Sequence, residues 1–296
     1  MKILLTGKNG QVGWELQRTL APLGEVVAVD RQALDLANPD AIRALIREVK
    51  PALIVNPAAY TAVDKAESEP ELAMAVNGIA PGIMAEEAKR LGAAMIHYST
   101  DYVFDGTQTS PYTEKDRPNP GNVYGKTKLA GEQAIQAVGV PHLILRTSWV
   151  YGSRGRNFLL TILRLAQERD ELKIVDDQIG APTSSRLIAE VTGQILAQCF
   201  SPLTPHPSPL TPFSGLYHLT AAGQTSWHGF AAAILASRAR ATSVVGPRLT
   251  PIPTSAYPLP ATRPHYSVMS NAKLQRAFGV TVPAWQSGLN LCMEEM

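Results

Sequence analysis

The sequence has few cysteines, little net charge and no long apolar run, and each shortage excludes a class of protein. Only two cysteines, Cys199 and Cys292, occur in 296 residues. A small secreted scaffold would carry more, so we expect two free thiols in a reducing compartment. The formal net charge is +2, and no basic patch of the kind that binds nucleic acid stands out. Nucleic acid is therefore not an expected partner.

Signals for membranes and secretion are also scarce. The apolar run at residues 3–5 is too short for the core of a signal peptide. No run approaches the roughly 20 apolar residues that a membrane-spanning helix needs. We expect a cytoplasmic protein that has no membrane partner.

The first half of the chain alternates apolar runs with helical patterns. The runs are continuous, which is typical of parallel strands buried on both faces; they are 3–5, 26–29, 53–55, 95–98 and 143–145. The two clearest helical patterns are at 40–49 and 67–91. The first places Ile42, Leu45, Ile46 and Val49 on one face, and the second places Leu72, Val76, Ile79 and Ile83 on one face. Repeated βα units of this length predict an α/β, Rossmann-like, doubly wound parallel sheet.

The second half is less regular and predicts a smaller α/β substrate domain over residues 151–296, after a dinucleotide-binding domain over 1–150. Segments around 175–220 are expected to return to the first domain. Helices are expected at 157–169, 184–196 and 225–237. Residues 201–214 contain five prolines, and because proline cannot donate to a sheet, we expect an inserted, solvent-facing loop. A proline-rich recognition segment is the alternative.

A glycine-rich segment follows the first strand and opens a helix. It reads Gly7-Lys8-Asn9-Gly10-Gln11-Val12-Gly13. Glycines in this setting let backbone N–H groups approach a pyrophosphate at the positive end of the helix. The segment predicts dinucleotide binding.

The second strand ends near an acidic and a basic residue that favour different cofactors. Asp30 is placed to accept hydrogen bonds from the adenosine ribose. Arg31 is the kind of residue that a 2′-phosphate attracts. The choice between NADH and NADPH is therefore open.

Tyr124 and Lys128 are four residues apart at the start of an amphipathic helix, so they share a face. This spacing also arises by chance, but here it lies near the carboxyl ends of the strands, where such folds bind ligands. A phenol can protonate the oxygen of a ketone that receives hydride. A cation ~4 Å away is worth about 4 kcal/mol, so we expect Lys128 to lower the pKa of Tyr124.

A hydroxyl just before this helix can bind the same carbonyl oxygen. Ser99 and Thr100 both qualify, but strand alternation puts them on opposite faces. We choose Thr100 as the third catalytic residue, with a Ser/Thr cap in a loop as the alternative.

These motifs and several longer segments resemble the dTDP-4-dehydrorhamnose reductase family of extended short-chain dehydrogenases/reductases over nearly the whole chain. The longer segments are 61–67 (TAVDKAE), 98–104 (YSTDYVF), 122–128 (NVYGKTK), 146–151 (RTSWVY), 180–183 (GAPT) and 253–258 (PTSAYP). The resemblance implies reduction of the 4-keto group of dTDP-4-dehydro-L-rhamnose to dTDP-L-rhamnose.

The resemblance also implies roles for individual positions. The cofactor-binding set is Gly7, Gly10, Gln11, Val12, Gly13, Asp30, Arg31, Asp35, Leu36, Ala58, Ala59, Tyr60, Thr61, Asn77, Tyr124 and Lys128. The substrate-binding set is Thr100, Asp101, Tyr102, Trp149 and Arg263. The guanidinium of Arg263 suits the paired oxygens of a diphosphate.

One departure concerns Mg²⁺, which some members of the family are described as binding through acidic residues at a dimer contact. Glu15 is one such position, but two others read Arg186 and Gln286 here. Since a guanidinium repels a hard cation, we expect no metal site, and a monomer or weak homodimer.

Two rival functions stay open on the sequence. A sugar-nucleotide epimerase or dehydratase uses the same scaffold, and Asp101 stands where a dehydratase needs an acid. A non-catalytic relative, such as the regulatory subunit of methionine adenosyltransferase, is the rival of another class. The presence of Tyr124, Lys128 and Thr100 argues against it. No Gly-x-Ser-x-Gly elbow and no His-x-x-x-His pair occurs in the sequence.

Overall fold

The computed structural model describes residues 1–200, 210–242 and 246–296. Strands and helices alternate along the first half of this chain, as the apolar runs predict. The strands are β1 (Lys2–Leu5), β2 (Glu25–Ala28), β3 (Leu53–Asn56), β4 (Ala94–Thr100), β5 (His142–Thr147), β6 (Val150–Tyr151), β7 (Glu171–Val175), β8 (Ile179–Gly180), β9 (Thr183–Ser184), β10 (Gly215–His218), β11 (Thr225–Ser226) and β12 (Arg248–Ile252). The helices are α1 (Gln11–Leu20), α2 (Pro39–Val49), α3 (Val63–Ala66), α4 (Pro70–Met74), α5 (Ala80–Arg90), α6 (Val123–Val138), α7 (Phe158–Glu168), α8 (Ser185–Cys199), α9 (Trp227–Thr242), α10 (Ala272–Phe278) and α11 (Trp285–Glu294).

Six strands form one parallel sheet in the order β10-β5-β4-β3-β1-β2. Helices α1 and α8 pack together, as do α2, α5 and α6. Side chains alternate between two cores: Ile3 and Leu5 belong to the core that contains Leu16 of α1, whereas Leu4 belongs to the one that contains Ile42 of α2. The chain leaves β1 in one direction for β2 and in the other for β3, and ligands bind at such a reversal in strand order.

The edge strand β2 is less buried than its apolar sequence predicts. Three of its four residues are half-buried and Glu25 is exposed. The prediction that residues 26–29 are covered on both faces is therefore wrong for most of this strand. Because β2 pairs with β1 on one side only, it lacks the second neighbour that the central strands have.

The residues that cap the N-termini of α2 and α6 can be recognised in the sequence. The Asn38 side chain accepts from the backbone N–H groups of Asp40 and Ala41, and Pro39 occupies the first helical turn. Asn122 caps α6 in the same way by accepting from the N–H of Gly125. Capping of this kind satisfies amides that the helix itself leaves free. It fixes where α6, which carries Tyr124, begins.

The helical pattern at 67–91 is interrupted. Residues Ala75–Ile79 form a π-helical turn between α4 and α5. One extra residue per turn rotates the helix face, so Ile79, which the pattern places inward, is 50% exposed. Leu72 and Val76 keep the predicted orientation and are half-buried.

The proline-rich segment is described from Leu210 onward, and the expectation for residues 201–209 lies outside the described residues. Leu210 is fully buried and Phe213 packs against the same core. Thr211, Pro212 and Ser214 are exposed, so the described end of the segment is partly solvent-facing, with Leu210 and Phe213 as the exceptions. It leads into β10 at the edge of the central sheet.

From residue 150 onward most strands pair in two-stranded sheets, β6 with β9, β7 with β12 and β8 with β11. The exceptions return to the central layer: β10 pairs with β5, and α8 packs on α1. Both cysteines are buried free thiols. None of the helices in the described residues combines the length and the apolar character that spanning a membrane requires.

Candidate active site

A cavity of about 600 Å³ lies at the carboxyl ends of β1, β2, β3 and β4. Fifteen of the sixteen residues predicted to bind the cofactor line it: Gly7, Gly10, Gln11, Val12, Gly13, Asp30, Arg31, Asp35, Leu36, Ala58, Ala59, Tyr60, Thr61, Tyr124 and Lys128. The sequence argument missed other lining residues, among them Thr6, Ser99, Thr147 and Arg156. The basic, glycine-containing run Gly152-Ser153-Arg154-Gly155-Arg156 was a signal that could have found Arg156.

The glycine segment is shaped for close backbone approach. Gly7 has φ +62°, a conformation that other residues adopt only under strain. A Cβ added to Gly13 would lie 2.1 Å from the carbonyl oxygen of Gly7, so only glycine fits there. Gly10 precedes α1 and supplies no side-chain cap to its first amides. Those amides suit a phosphate group, so the segment fits a dinucleotide.

Asp30 is ionised and held at the rim of the cavity. Its carboxylate accepts from the backbone N–H groups of Gln32 and Ala33 and from the Asn9 side chain. The hydrogen bond from Ala33 is the largest cause that lowers the pKa of Asp30. Lys8 lies 3.4 Å from the same carboxylate, and Arg31 is exposed beside it. An acceptor and a cation thus stand together where the adenosine ribose is expected.

Asn77 does not line the cavity, contrary to its predicted place in the cofactor-binding set. It is buried in the π-helical turn. Its Oδ1 accepts from the backbone N–H of Tyr60, and its Nδ2 donates to the carbonyl of Tyr60 and to Thr127 Oγ1. Since these bonds join the lining segment at Tyr60 to α6, Asn77 positions the cavity wall instead of forming it.

Tyr124 and Lys128 both reach the cavity from one face of α6. Nζ of Lys128 donates to the carbonyl of Tyr98 (2.6 Å) and lies 3.2 Å from Nε2 of His97. Burial lowers the pKa of Lys128 to about 8, while the negative charge of Glu132 acts in the opposite direction.

The expected effect of Lys128 on Tyr124 is not seen in this structure. Burial raises the pKa of Tyr124 to about 12, a hydrogen bond with Thr100 lowers it in part, and the charge of Asp101 raises it. The Coulomb argument neglected the loss of solvation around the phenol. Tyr124 is therefore firmly protonated at neutral pH, as a proton donor must be.

Ser99 and Thr100 point in opposite directions, as strand alternation predicts. Ser99 lines the cofactor cavity, and its Oγ has no hydrogen-bond partner among the described residues. Thr100 does not line the cavity; it lies by Tyr124, and its hydroxyl donates to Asp101 and accepts from the N–H of Tyr102. Of the two hydroxyls, Ser99 is thus on the cofactor side and Thr100 is in contact with the phenol; the catalytic role of Thr100 stays a prediction.

Three of the five residues predicted to bind the sugar nucleotide adjoin Tyr124. Thr100 and Asp101 influence its pKa, and the Tyr102 ring meets the Tyr124 ring edge-on at 5.5 Å. Burial raises the pKa of Asp101 to about 6, so this carboxyl titrates just below neutral pH. None of these three lines the cofactor cavity, which places them beside it.

Arg263 and Trp149 are engaged with residues that the sequence argument did not consider. Nη2 of Arg263 lies 2.7 Å from Oδ2 of Asp64, and its guanidinium stands 6.0 Å from the Tyr102 ring. Trp149 has φ +48°, and its indole stacks on that of Trp227 at 3.5 Å. The Tyr102 ring thus lies between Arg263 and Tyr124. No motif in the sequence pointed to Trp227.

Two of the three positions that correspond to metal-binding acids, Glu15 and Arg186, lie in ion pairs. Glu15 pairs with Arg18, and Arg186 pairs with Glu190 and Glu295. Within the described ranges, no group of three or more His, Cys, Asp or Glu side chains could hold a metal ion. The absence of Mg²⁺ stays a prediction.

The comparisons with known proteins agree over the full length of the chain. The family model described as the RmlD substrate binding domain matches residues 1–296. The chain is 52% identical over 300 residues to the dTDP-4-dehydrorhamnose reductase of Burkholderia thailandensis, covering 100% of this chain and 99% of the relative. It is 46% identical over 301 residues to the dTDP-4-dehydrorhamnose reductase of Escherichia coli, covering 100% and 98%.

A solved structure gives the same result. The dTDP-4-dehydrorhamnose reductase of Bacillus anthracis, crystallised in complex with NADP, superposes with a TM-score of 0.89 at 33% identity and covers 100% of this chain and 99% of its own. The predicted α/β parallel sheet is therefore confirmed, and neither rival function is favoured. The chain belongs to the RmlD substrate binding domain family, in which its relatives are dTDP-4-dehydrorhamnose reductases.

Proposed function

We propose that this protein reduces the 4-keto group of dTDP-4-dehydro-L-rhamnose to give dTDP-L-rhamnose, with NADPH or NADH as hydride donor. The observation that carries the proposal is the position of Tyr124, a protonated phenol on the wall of the cavity that the glycine segment lines, in a chain 46–52% identical to reductases of that name.

The nicotinamide, when bound, supplies the hydride. Tyr124 donates its proton to the oxygen on which negative charge develops. Thr100, which already contacts the phenol, exchanges the bond that its hydroxyl donates to Asp101 for one to the same oxygen. Lys128 stabilises the phenolate that remains, because its ammonium form lies on the same face of α6.

The residues that line the cavity support binding of a nicotinamide dinucleotide. The amides that open α1 hold the pyrophosphate, and Asp30 accepts from the adenosine ribose. Arg31 and Lys8 supply the positive charge that a 2′-phosphate requires. Because both sets of groups are present, we propose that the protein accepts NADH and NADPH alike.

The sugar nucleotide approaches Tyr124 from the side of Asp101, Tyr102 and Arg263. A guanidinium suits a diphosphate because its parallel N–H groups match paired oxygens. Here Arg263 must exchange Asp64 for the diphosphate. We propose that residues 1–150, with returning segments around 175–220, hold the cofactor and that 151–296 hold mainly the sugar nucleotide. Cytoplasmic location and a monomeric or weakly dimeric state stay predictions.

The test is turnover of purified protein with dTDP-4-dehydro-L-rhamnose, followed by the absorbance of NADPH or NADH. We expect oxidation of both cofactors, and Tyr124→Phe should lower kcat about 10²- to 10⁴-fold because the proton donor is lost. Tyr217→Phe is the matched control, since its hydroxyl donates to the carbonyl of Phe213 and Tyr217 does not line the cavity. No turnover with either cofactor would refute the substrate, and normal turnover by Tyr124→Phe would refute the proton donor.

A further inference from the structure

Three polar side chains form a buried row across the sheet beneath Lys128. Thr6 follows β1, Asn56 ends β3 and His97 lies within β4. Asn56 and His97 are direct partners in the strand register. All three are at most 1% exposed. Burying a polar group without a hydrogen bond destabilises the folded state, so each of these side chains needs a partner.

The row is continuous from Thr6 to Lys128. The Thr6 hydroxyl donates to Oδ1 of Asn56 at 2.6 Å. Nδ2 of Asn56 lies 3.1 Å from Nδ1 of His97, and Nε2 of His97 lies 3.2 Å from Nζ of Lys128. Thr6 and Lys128 both line the cofactor cavity, so the row begins and ends at the cavity and passes through the protein interior between them.

The direction of these bonds depends on the charge of Lys128. An amide N–H can only donate, so Nδ1 of His97 accepts from Asn56 and a neutral imidazole carries its hydrogen on Nε2. Nε2–H then donates to Nζ of Lys128, which requires the lone pair of a neutral amine. The ammonium form of Lys128 has no lone pair and can only donate, so Nε2 of His97 must then accept from it. The hydrogen of His97 is in that case on Nδ1 and is donated to Oδ1 of Asn56. The Asn56 amide has to rotate to allow this, and its Nδ2 then donates to the Thr6 hydroxyl.

The surrounding charges keep both states within reach. Burial, with the charge of Lys128 as a second cause, lowers the pKa of His97 well below its usual value, so the imidazole is neutral. Burial lowers the pKa of Lys128 to about 8. The other charged and titratable neighbours are Tyr124 and Glu132 on α6, and Arg146 on β5, which binds Glu132. Lys128 therefore changes charge while His97 does not.

We propose that Thr6, Asn56 and His97 form a positioning row that holds Nζ of Lys128 at the cofactor cavity and reverses its hydrogen-bond direction when Lys128 gains or loses a proton. The row transfers no net proton. The imidazole keeps one hydrogen in both states: Nε2 loses its hydrogen to water and Nδ1 takes one from water when the side chains open transiently, and the Asn56 amide rotates. The proton that Lys128 gains or loses is exchanged with water in the cavity. His97 is thus a positioning residue, and this role rests on the proposed reductase function.

The hydrogen-bond direction is tested without cofactor or substrate, by ¹⁵N NMR of the histidine-labelled protein, with His97→Leu to assign the His97 signals. We expect the Nε2–H tautomer of His97 above the titration of Lys128, near pH 8, and the Nδ1–H tautomer below it. In Lys128→Met the tautomer should not change with pH. A tautomer that is constant in the wild type, or that still switches in Lys128→Met, overturns the proposal.

The positioning role is tested by kinetics with a matched control. His97→Leu should lower kcat about 10- to 100-fold, since small displacements of catalytic groups cost that much, and leave KM for the sugar nucleotide unchanged. His97→Gln, which can still donate and accept, should restore part of the loss. His142→Leu is the control, because His142 lies on the neighbouring strand and bonds the carbonyl of Val140.

The outcomes separate this inference from the proposed function. Wild-type kcat in His97→Leu, or an equal loss in His142→Leu, overturns the positioning role. Absence of turnover by the wild-type protein overturns the proposed function instead, and leaves the NMR result to decide whether the row reverses.

Discussion

Arg146 and Glu132 form a bidentate ion pair inside the protein: Nε donates to Oε1 at 2.8 Å and Nη2 to Oε2 at 2.6 Å, and each side chain is only 2% exposed. Glu132 lies one helical turn beyond Lys128 on α6, and its charge raises the pKa of Lys128. The pair therefore connects β5 to the helix that carries the proposed proton donor.

Removing one partner should strongly destabilise the fold. Arg146→Met leaves the Glu132 carboxylate buried without its cation, which typically costs about 3–5 kcal/mol. Urea unfolding of the wild type and the variant measures this loss. The exposed pair Arg164–Glu168 provides the control, because Arg164→Met should change the free energy of unfolding by less than about 1 kcal/mol. Equal effects of the two substitutions would contradict the prediction.

Asp101 should make stability depend on pH between about 4 and 6. Burial raises its pKa from 3.8 to about 6, so the folded state holds a proton that the unfolded state has released. The stabilisation is complete below pH 3.8 and is lost as the pH rises through about 6.

This dependence is measured by comparing wild type with Asp101→Asn. The difference in unfolding temperature, variant minus wild type, should increase as the pH rises from about 4 to about 6, because the amide of the variant does not ionise. Asp35→Asn, at a carboxyl on the cavity rim, controls for general loss of negative charge. A constant difference between wild type and Asp101→Asn across this range would show that Asp101 is ionised throughout.

Lys128 should give the reduction rate an alkaline limit. Its ammonium is needed to stabilise the phenolate of Tyr124, and its pKa is about 8, so kcat should fall as the pH rises through that value. A stopped-flow measurement of hydride transfer over pH follows this. Lys128→Met should have a low kcat that does not fall in this pH range. The same fall in that variant would assign the titration to another group.

Asp30 and Arg31 should affect the two cofactors differently. Arg31→Ala should weaken the binding of NADPH about tenfold, in line with the loss of one charge-assisted hydrogen bond, and leave the binding of NADH almost unchanged. Asp30→Ala should weaken NADH more than NADPH, since it removes the ribose acceptor. Titration of each variant by nicotinamide fluorescence gives the four dissociation constants. Equal weakening of both cofactors by both variants would refute the division of roles.

The fold class, the glycine loop and the spacing of Tyr124 and Lys128 could be predicted from the sequence, because these depend on local periodicity and backbone geometry. A buried strand needs a continuous apolar run, and a backbone that approaches a phosphate needs glycine at positions such as Gly13. The helix that carries Tyr124 could be placed as well, since Asn122 is a strong capping residue.

Which side chains meet, and how strongly each is desolvated, depends on the packing of segments that are distant in the sequence. The π-helical turn at Ala75–Ile79 turned Ile79 outward and placed Asn77 behind the cavity wall. Strand order brought Thr6, Asn56 and His97, which are dozens of residues apart, into one row under Lys128. Burial raised the pKa of Tyr124 above its usual value, against the expectation from the nearby cation. Desolvation depends on every atom packed around a group, which sequence spacing does not describe.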